Sequence, residues 1–167
     1  VQTCALPIFP RGAGTGLSGG ATPSRGSVVL DLNRMNRIRE IDPVGRIAVV
    51  EPGLVNVRLT AATDPHGLHY APDPSSQAAC TVGGNVGTNA GGPHCLADGT
   101  TVAHILAIEF VTADGDIVML GGEAPDPLGL DLRAVVVGSE GTLGVVTRIL
   151  VGGARLRSLR CALRRIR

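Results

Sequence analysis

Lysine and tryptophan are missing from this chain, and two phenylalanines and one tyrosine complete its aromatic stock. Without lysine no P-loop can form, because that loop's lysine reaches the β- and γ-phosphates. So few rings leave no stacking platform for single-stranded nucleic acid. The basic stripe that nucleic acid needs is missing too: all 15 basic residues are arginine, and six of them fall between Arg155 and Arg167. Setting that tail aside leaves nine basic against 14 acidic residues, a net charge of −5. No apolar run reaches the ~18 residues of a bilayer span, and no secretory pattern opens the sequence. Cys4, Cys80, Cys95 and Cys161 lie too far apart for CxxC chemistry, which reads as a reduced, cytoplasmic protein. His66, His69, His94 and His104 make neither H-x-x-H nor HExxH, so no metal site is expected.

What the chain holds instead is glycine, 24 in 167 residues, about twice the usual ~7%. Five fall in the eleven residues Pro10 to Gly20, PRGAGTGLSGG. Glycine forgoes side-chain packing, so clustering it fits positions where a ligand meets the backbone and amide N–H groups can cradle a phosphate. A Rossmann fingerprint is not met: G-x-G-x-x-G must open a helix, whereas here the spacing is G-x-G-x-G and Ser18-Gly19-Gly20 starts a helix poorly. Polar loops recur at 72–76, 83–92 and 138–144, the last two glycine-rich, each beside an apolar run. Four such loops at one rim of a sheet suit a long polar ligand such as a dinucleotide.

The coarse pattern is α+β. Strands are predicted at Ser27–Leu32 and Ile47–Val50 around a turn at Asp42–Gly45, then a short helix over Val55–Thr63. Periodicity vanishes from Tyr70 to Gly92, which reads as a loop far longer than the usual ~4–6 residues. Ala103–Ala113 and Asp116–Leu120 flank Asp114-Gly115, a hairpin signal. Leu130–Val137 is a helix or a buried apolar run, and VVTRILV, from Val145, is a final strand. Among the polar candidates, Arg11 can pair with phosphate or stand as a surface ion-pair residue. Asp73, between two prolines, can meet backbone amides or a ribose hydroxyl, or cap a turn. Ser75, Ser76, Asn85, Thr88 and Asn89 add short hydrogen-bonding groups without bulk. His94 beside Cys95 follows Gly92-Pro93, which favours a structural loop over Cys/His chemistry.

PRGAGTGLSGG, PDPSS, CTVGGNVGTNAGG and GSEGTLG, in that order, resemble the PCMH-type FAD-binding domain of the oxidases related to vanillyl-alcohol oxidase. PHC followed by ADGTTVAHILAIEFVTADGDIVMLGG looks like the glycolate oxidase and D-lactate dehydrogenase branch. The resemblance implies an α+β domain of two subdomains, the smaller taking the strands around Val28 and Val49. It implies a pyrophosphate loop at Arg11, Gly12, Ala13, Gly14, Thr15 and Gly16. Pro72, Asp73, Ser75 and Ser76, with Gly83, Gly84, Asn85, Thr88, Asn89, Gly91 and Gly92, would line the flavin and its ribityl and phosphate portion. Glu140, Gly141 and Val145 would stand at the adenosine and diphosphate end. No histidine matches a covalent flavin link, so non-covalent FAD is expected. The implied reaction oxidises a D-2-hydroxy acid to the 2-oxo acid with hydride passing to flavin. Its substrate would be held by a C-terminal cap domain, and no catalytic residue is nominated in this chain. An iron–sulfur or other electron-transfer subunit, with peripheral membrane association through it, is an implied partner. An oxidase of another alcohol or sugar, or a non-catalytic nucleotide-binding piece, are the alternatives. Asp98 departs from the branch, which more often has an aromatic before that glycine. Residues 9–151 carry the resemblance. Residues 1–8, VQTCALPI, resemble a translated sequencing adapter, with a strand entering the glycine loop as the other reading; 152–167 read as a basic helix or a frame-shifted tail. The domain is therefore expected to be incomplete at both ends.

Overall fold

A computed structural model of the chain describes residues 6–123 and 129–152, and the backbone of Ala154–Arg155. Cys4, Cys161 and most of both terminal segments thus lie outside the described residues. β1 (Ile8–Arg11) pairs in parallel with β2 (Val28–Asp31). β3 (Ile38–Asp42), β4 (Ile47–Val50), β6 (Ile105–Val111), β7 (Ile117–Gly121) and β8 (Val145–Gly152) form a five-stranded antiparallel sheet in the order β3-β4-β8-β6-β7. β5 (Leu68–His69) pairs with β9 (Ala154–Arg155). Helices α1 (Asn56–Thr63), α2 (Val82–Thr88), α3 (Cys95–Asp98) and α4 (Leu132–Val136) complete the described elements, with single 3-10 turns at Asp64–His66 and Thr101–His104.

Alternation along the strands decides which face is buried. Ile108, Phe110, Ile149, Val151, Ala48 and Val50 point inward and meet Leu59 of α1, Val82 and Val86 of α2, and Val136 of α4. The hairpin at Asp114-Gly115 forms as predicted, with Phe110 opposite Val118 and Ile108 opposite Leu120. At the end of β7, Arg133 is buried and donates to the carbonyls of Ile105 and Leu106 at 2.7 and 3.0 Å while Asp131 holds its other side. Asp131 also caps α4 by accepting from the Arg133 amide, which makes Leu130–Val137 a helix start followed by five helical residues.

Three expectations need correcting. The strand around Val49 is β4 and belongs to the five-stranded sheet, so the two-stranded parallel sheet holds β1 and β2 only. Between the two predicted strands the chain forms another, β3, that was not expected: its inward residues Ile38 and Ile41 are masked in sequence by the charged residues between them. The stretch Tyr70–Gly92 is not all loop, because Val82–Thr88 is a helix. There Thr81 accepts from the Gly84 amide at 3.1 Å as N-cap, Val82 and Val86 bury one face, and Asn89 closes the helix at φ 47°. Two apolar residues among three glycines left too weak a period to read.

Candidate FAD-binding site

The glycine loop leaves β1 at Arg11 and passes over the start of α2. Gly12 lies so close to that helix that a Cβ would fall on Thr81 Oγ1. Gly14 takes φ +71°, and a Cβ there would lie 3.2 Å from the Arg11 guanidinium, which folds back across the loop. Among the described residues, no acceptor engages the amides of Gly12 to Gly16, and Arg11 has no carboxylate partner. Free N–H groups beside a guanidinium are the chemistry that binding an anion requires.

The second wall is α2. The third is the loop after α4, which hydrogen bonds fasten to that helix. The Gly138 amide donates to Val86 O and the Glu140 amide to Gly87 O, each at 2.8 Å. Glu140 is held at φ 55°, a left-handed setting rare for a residue with a side chain. Gly20 packs on it closely enough that a Cβ would lie 2.5 Å from Oε2, and Gly141 lies under Pro10. Glycine loop, helix and 138–144 loop are therefore one braced unit.

Between them lies a cavity of about 440 Å³, inside the range of ~300–1,000 Å³ usual for organic ligands. Of the expected residues, Arg11 through Gly16, Ser75, Ser76, Gly83, Gly84, Asn85, Thr88, Asn89, Gly91, Glu140 and Gly141 line it. Pro72, Asp73, Gly92 and Val145 do not. Pro72 is buried behind the wall with its carbonyl accepting from Asn56 Nδ2 at 2.9 Å. Gly92 backs onto Asp73, whose carboxylate pairs with His94 Nδ1. Val145 opens β8 opposite Val111. His94 pairs with Asp73 on that loop, and the hydrogen bond its Nδ1–H donates to the Asp73 carboxylate, then the carboxylate's charge, raises the imidazole pKa.

Cys80, Thr81 and Ser139 also line the cavity and were not singled out. Thr81 had a readable signal, a threonine just before an apolar residue that opens a helix. Cys80 had none; burial pushes its thiol pKa up, so it stays neutral at the cavity floor. The fit to a dinucleotide is good on chemistry alone. One end offers amides and a guanidinium for a diphosphate, while the rest offers hydroxyl, amide and carboxylate groups for sugars and rings.

An α+β domain whose glycine-rich loops converge on a single groove of this kind defines a nucleotide-cofactor-binding protein. The model of the FAD binding domain family matches residues 1–121, and the chain belongs to that family. It is 53% identical over 146 residues to glycolate oxidase subunit GlcD of Escherichia coli (strain K12), covering 87% of this chain and 29% of that protein. The GlcD of Bacillus subtilis (strain 168) is 46% identical over 147 residues, covering 87% and 31%. The D-lactate dehydrogenase of Archaeoglobus fulgidus is 41% identical over 148 residues, covering 88% and 33%. The chain is thus homologous to FAD-linked oxidoreductases and spans about a third of the length of the curated relatives it matches. Among the described residues no helix is long and apolar enough to cross a membrane.

Proposed function

We propose that residues 9–151 hold FAD non-covalently in this cavity as the cofactor part of a D-2-hydroxy-acid oxidoreductase. The observation that carries the reading is the unengaged amide cluster of Gly12 to Gly16 beside unpaired Arg11, opening onto a groove walled by α2 and the 138–144 loop. These groups hold the pyrophosphate. Ser75, Ser76, Gly83, Gly84, Asn85, Thr88, Asn89 and Gly91 follow the flavin and ribityl chain, and Glu140 and Gly141 flank the adenosine end. Pro72, Asp73, Gly92 and Val145 shape the wall from behind. Bound FAD supplies the two-electron acceptor; the protein orients it and excludes water. Non-covalent binding is supported by the absence of histidine from the cavity lining among the described residues and by the neutral state of Cys80.

The substrate class rests on the relatives: glycolate, D-lactate and the D-2-hydroxyglutarate of a 37% identical Arabidopsis thaliana dehydrogenase are all 2-hydroxy acids. A further domain binds the substrate, and a separate protein partner takes the electrons onward. The test is to produce the intact protein, reconstitute it with FAD and record the visible spectrum before and after anaerobic addition of each acid. Flavin bands that bleach with a D-2-hydroxy acid, and flavin released by acid precipitation, are the expected results. A colourless protein overturns the binding site, flavin left in the pellet overturns the non-covalent mode, and bleaching only by other alcohols or sugars overturns the substrate class.

A further inference from the structure

Asp73 ties together two segments that both reach the cavity. It runs directly into Pro74, Ser75 and Ser76, which line the cavity, and it packs under Gly92, the neighbour of the lining residue Gly91. Its Oδ1 is buried with no hydrogen-bond partner, and its Oδ2 accepts from His94 Nδ1. The carboxylate side chain is 22% exposed and the imidazole 71%. The pair is thus fixed at the rim with its acid inside and its ring outside. Since Nδ1 is used, the second ring nitrogen, Nε2, is left for another acceptor, and no described residue supplies one.

Charge along the cavity is uneven. Among the described residues that line it, Arg11 is the one cation and Glu140 the one acid, and both belong to the loops assigned above to the diphosphate and adenosine. The flavin end, lined from Ser75 to Gly91, has hydroxyls, amides and the neutral Cys80 thiol. We propose that His94, braced by Asp73, donates Nε2–H to the carboxylate of the 2-hydroxy acid and so selects an anionic substrate at the flavin end. The inference rests on the cofactor and substrate reading above and adds to it a residue of this chain. A carboxylate behind an imidazole keeps the ring oriented and its second proton in place, and a charge-assisted hydrogen bond is about twice as strong as a neutral one. Two carboxylates act on the ring, Asp73 from the facing segment and Asp98 from α3, and both raise its pKa. The bond to the acid is therefore present below that raised value and lost above it.

The test uses the intact protein reconstituted with FAD and, as probe, oxalate, a dicarboxylate with no hydrogen on carbon to give up. Carbethoxylation of His94 by diethyl pyrocarbonate, mapped by mass spectrometry, is expected to be blocked by saturating oxalate. His94→Gln is expected to weaken oxalate binding, and to raise the KM of the acid that bleaches the flavin, about ten- to a hundredfold, the worth of one hydrogen bond to a charged group; kcat changes little, as for lost uniform binding. Oxalate affinity falls as pH rises through the His94 pKa, and Asp73→Asn moves that fall to lower pH. Undiminished carbethoxylation of a flavin-loaded protein in oxalate overturns this inference alone. So does an oxalate affinity unaltered in His94→Gln, or a pH limb that Asp73→Asn leaves in place. A colourless protein overturns the cofactor reading and this inference with it. Carbethoxylation is read on the unaltered chain, so a variant that fails to fold does not shield the idea from refutation.

Discussion

Gly12→Ala is the substitution that most directly probes how the glycine loop is seated. Gly12 lies outside the left-handed region, so its replacement carries no backbone strain. The added methyl instead lands on Thr81 Oγ1 while staying 3.6 Å from Thr81 Cβ, an ordinary contact. Thr81 is 1% exposed and its hydroxyl caps α2 through the Gly84 amide, so it cannot swing away without giving up that bond. Overpacking of this kind costs about 1–3 kcal/mol. Thr81→Ala alone loses the cap, worth about 1 kcal/mol. With Oγ1 gone, however, Gly12→Ala has room, and its further cost falls below about 0.5 kcal/mol, leaving a coupling of about 1–2 kcal/mol between the two sites. Urea unfolding of the four apo-proteins, followed by circular dichroism, measures this without ligand linkage. Additivity to within ~0.5 kcal/mol would show that Gly12 and Thr81 are not in contact, and the docking of the loop on α2 would have to be abandoned.

Three other outcomes follow from the same geometry. Arg11→Gln is expected to raise the FAD dissociation constant about ten- to a hundredfold, the worth of one hydrogen bond to a charged group, with apo stability unchanged; fluorescence titration with an unaltered affinity would remove Arg11 from the pyrophosphate site. Arg133→Ala strips the partners from the Ile105 and Leu106 carbonyls and from Asp131, and should cost about 3–5 kcal/mol in denaturant unfolding; a loss under about 1 kcal/mol would mean surface-like behaviour. The hydrogen bond the Asp73 carboxylate accepts from His94 Nδ1–H, and then its charge, holds the His94 pKa above the ordinary histidine value of about 6.5. The stability from this pair is therefore fully present below that value and is lost as pH rises through the higher folded one. An NMR titration of His94 with a midpoint at or below the ordinary value would refute the pairing.

Much of the fold was legible because its signals are local. The Asp-Gly turn between two β-branched runs and the apolar strand before the Pro52-Gly53 stop need no tertiary information. α2 and β3 were hidden for the opposite reason. Val82 and Val86 are completely buried, yet they stand alone among glycines, and only packing against the inner sheet face makes that turn a helix. β3 carries three charged residues in five, and one reason is visible only in space: Arg39 reaches Glu51, a buried carboxylate held below its usual pKa first by the Arg37 amide and then by Arg39 itself. The convergence of loops was legible from order and composition, but their mutual fastening through the Gly138 and Glu140 amides was not, since backbone bonds leave no mark on residue type.

Glycine density proved an ambiguous sign, and the ambiguity is physical. A residue without Cβ permits close approach, but it does not say whether a ligand or the chain itself approaches. At Gly14 the positive φ and the guanidinium overhead keep a cradle open toward the cavity. At Gly92 the space a side chain would need is filled by the Asp73 backbone and carboxylate, so that glycine serves the fold. Gly83 does both: it faces the cavity, and a Cβ would lie 2.5 Å from Pro52 Cβ. The distinction bears on substitution. Alanine at a cradle position should act chiefly on cofactor affinity, whereas alanine at Gly92 should act on stability even in the apo-protein, because the atoms it displaces belong to the chain.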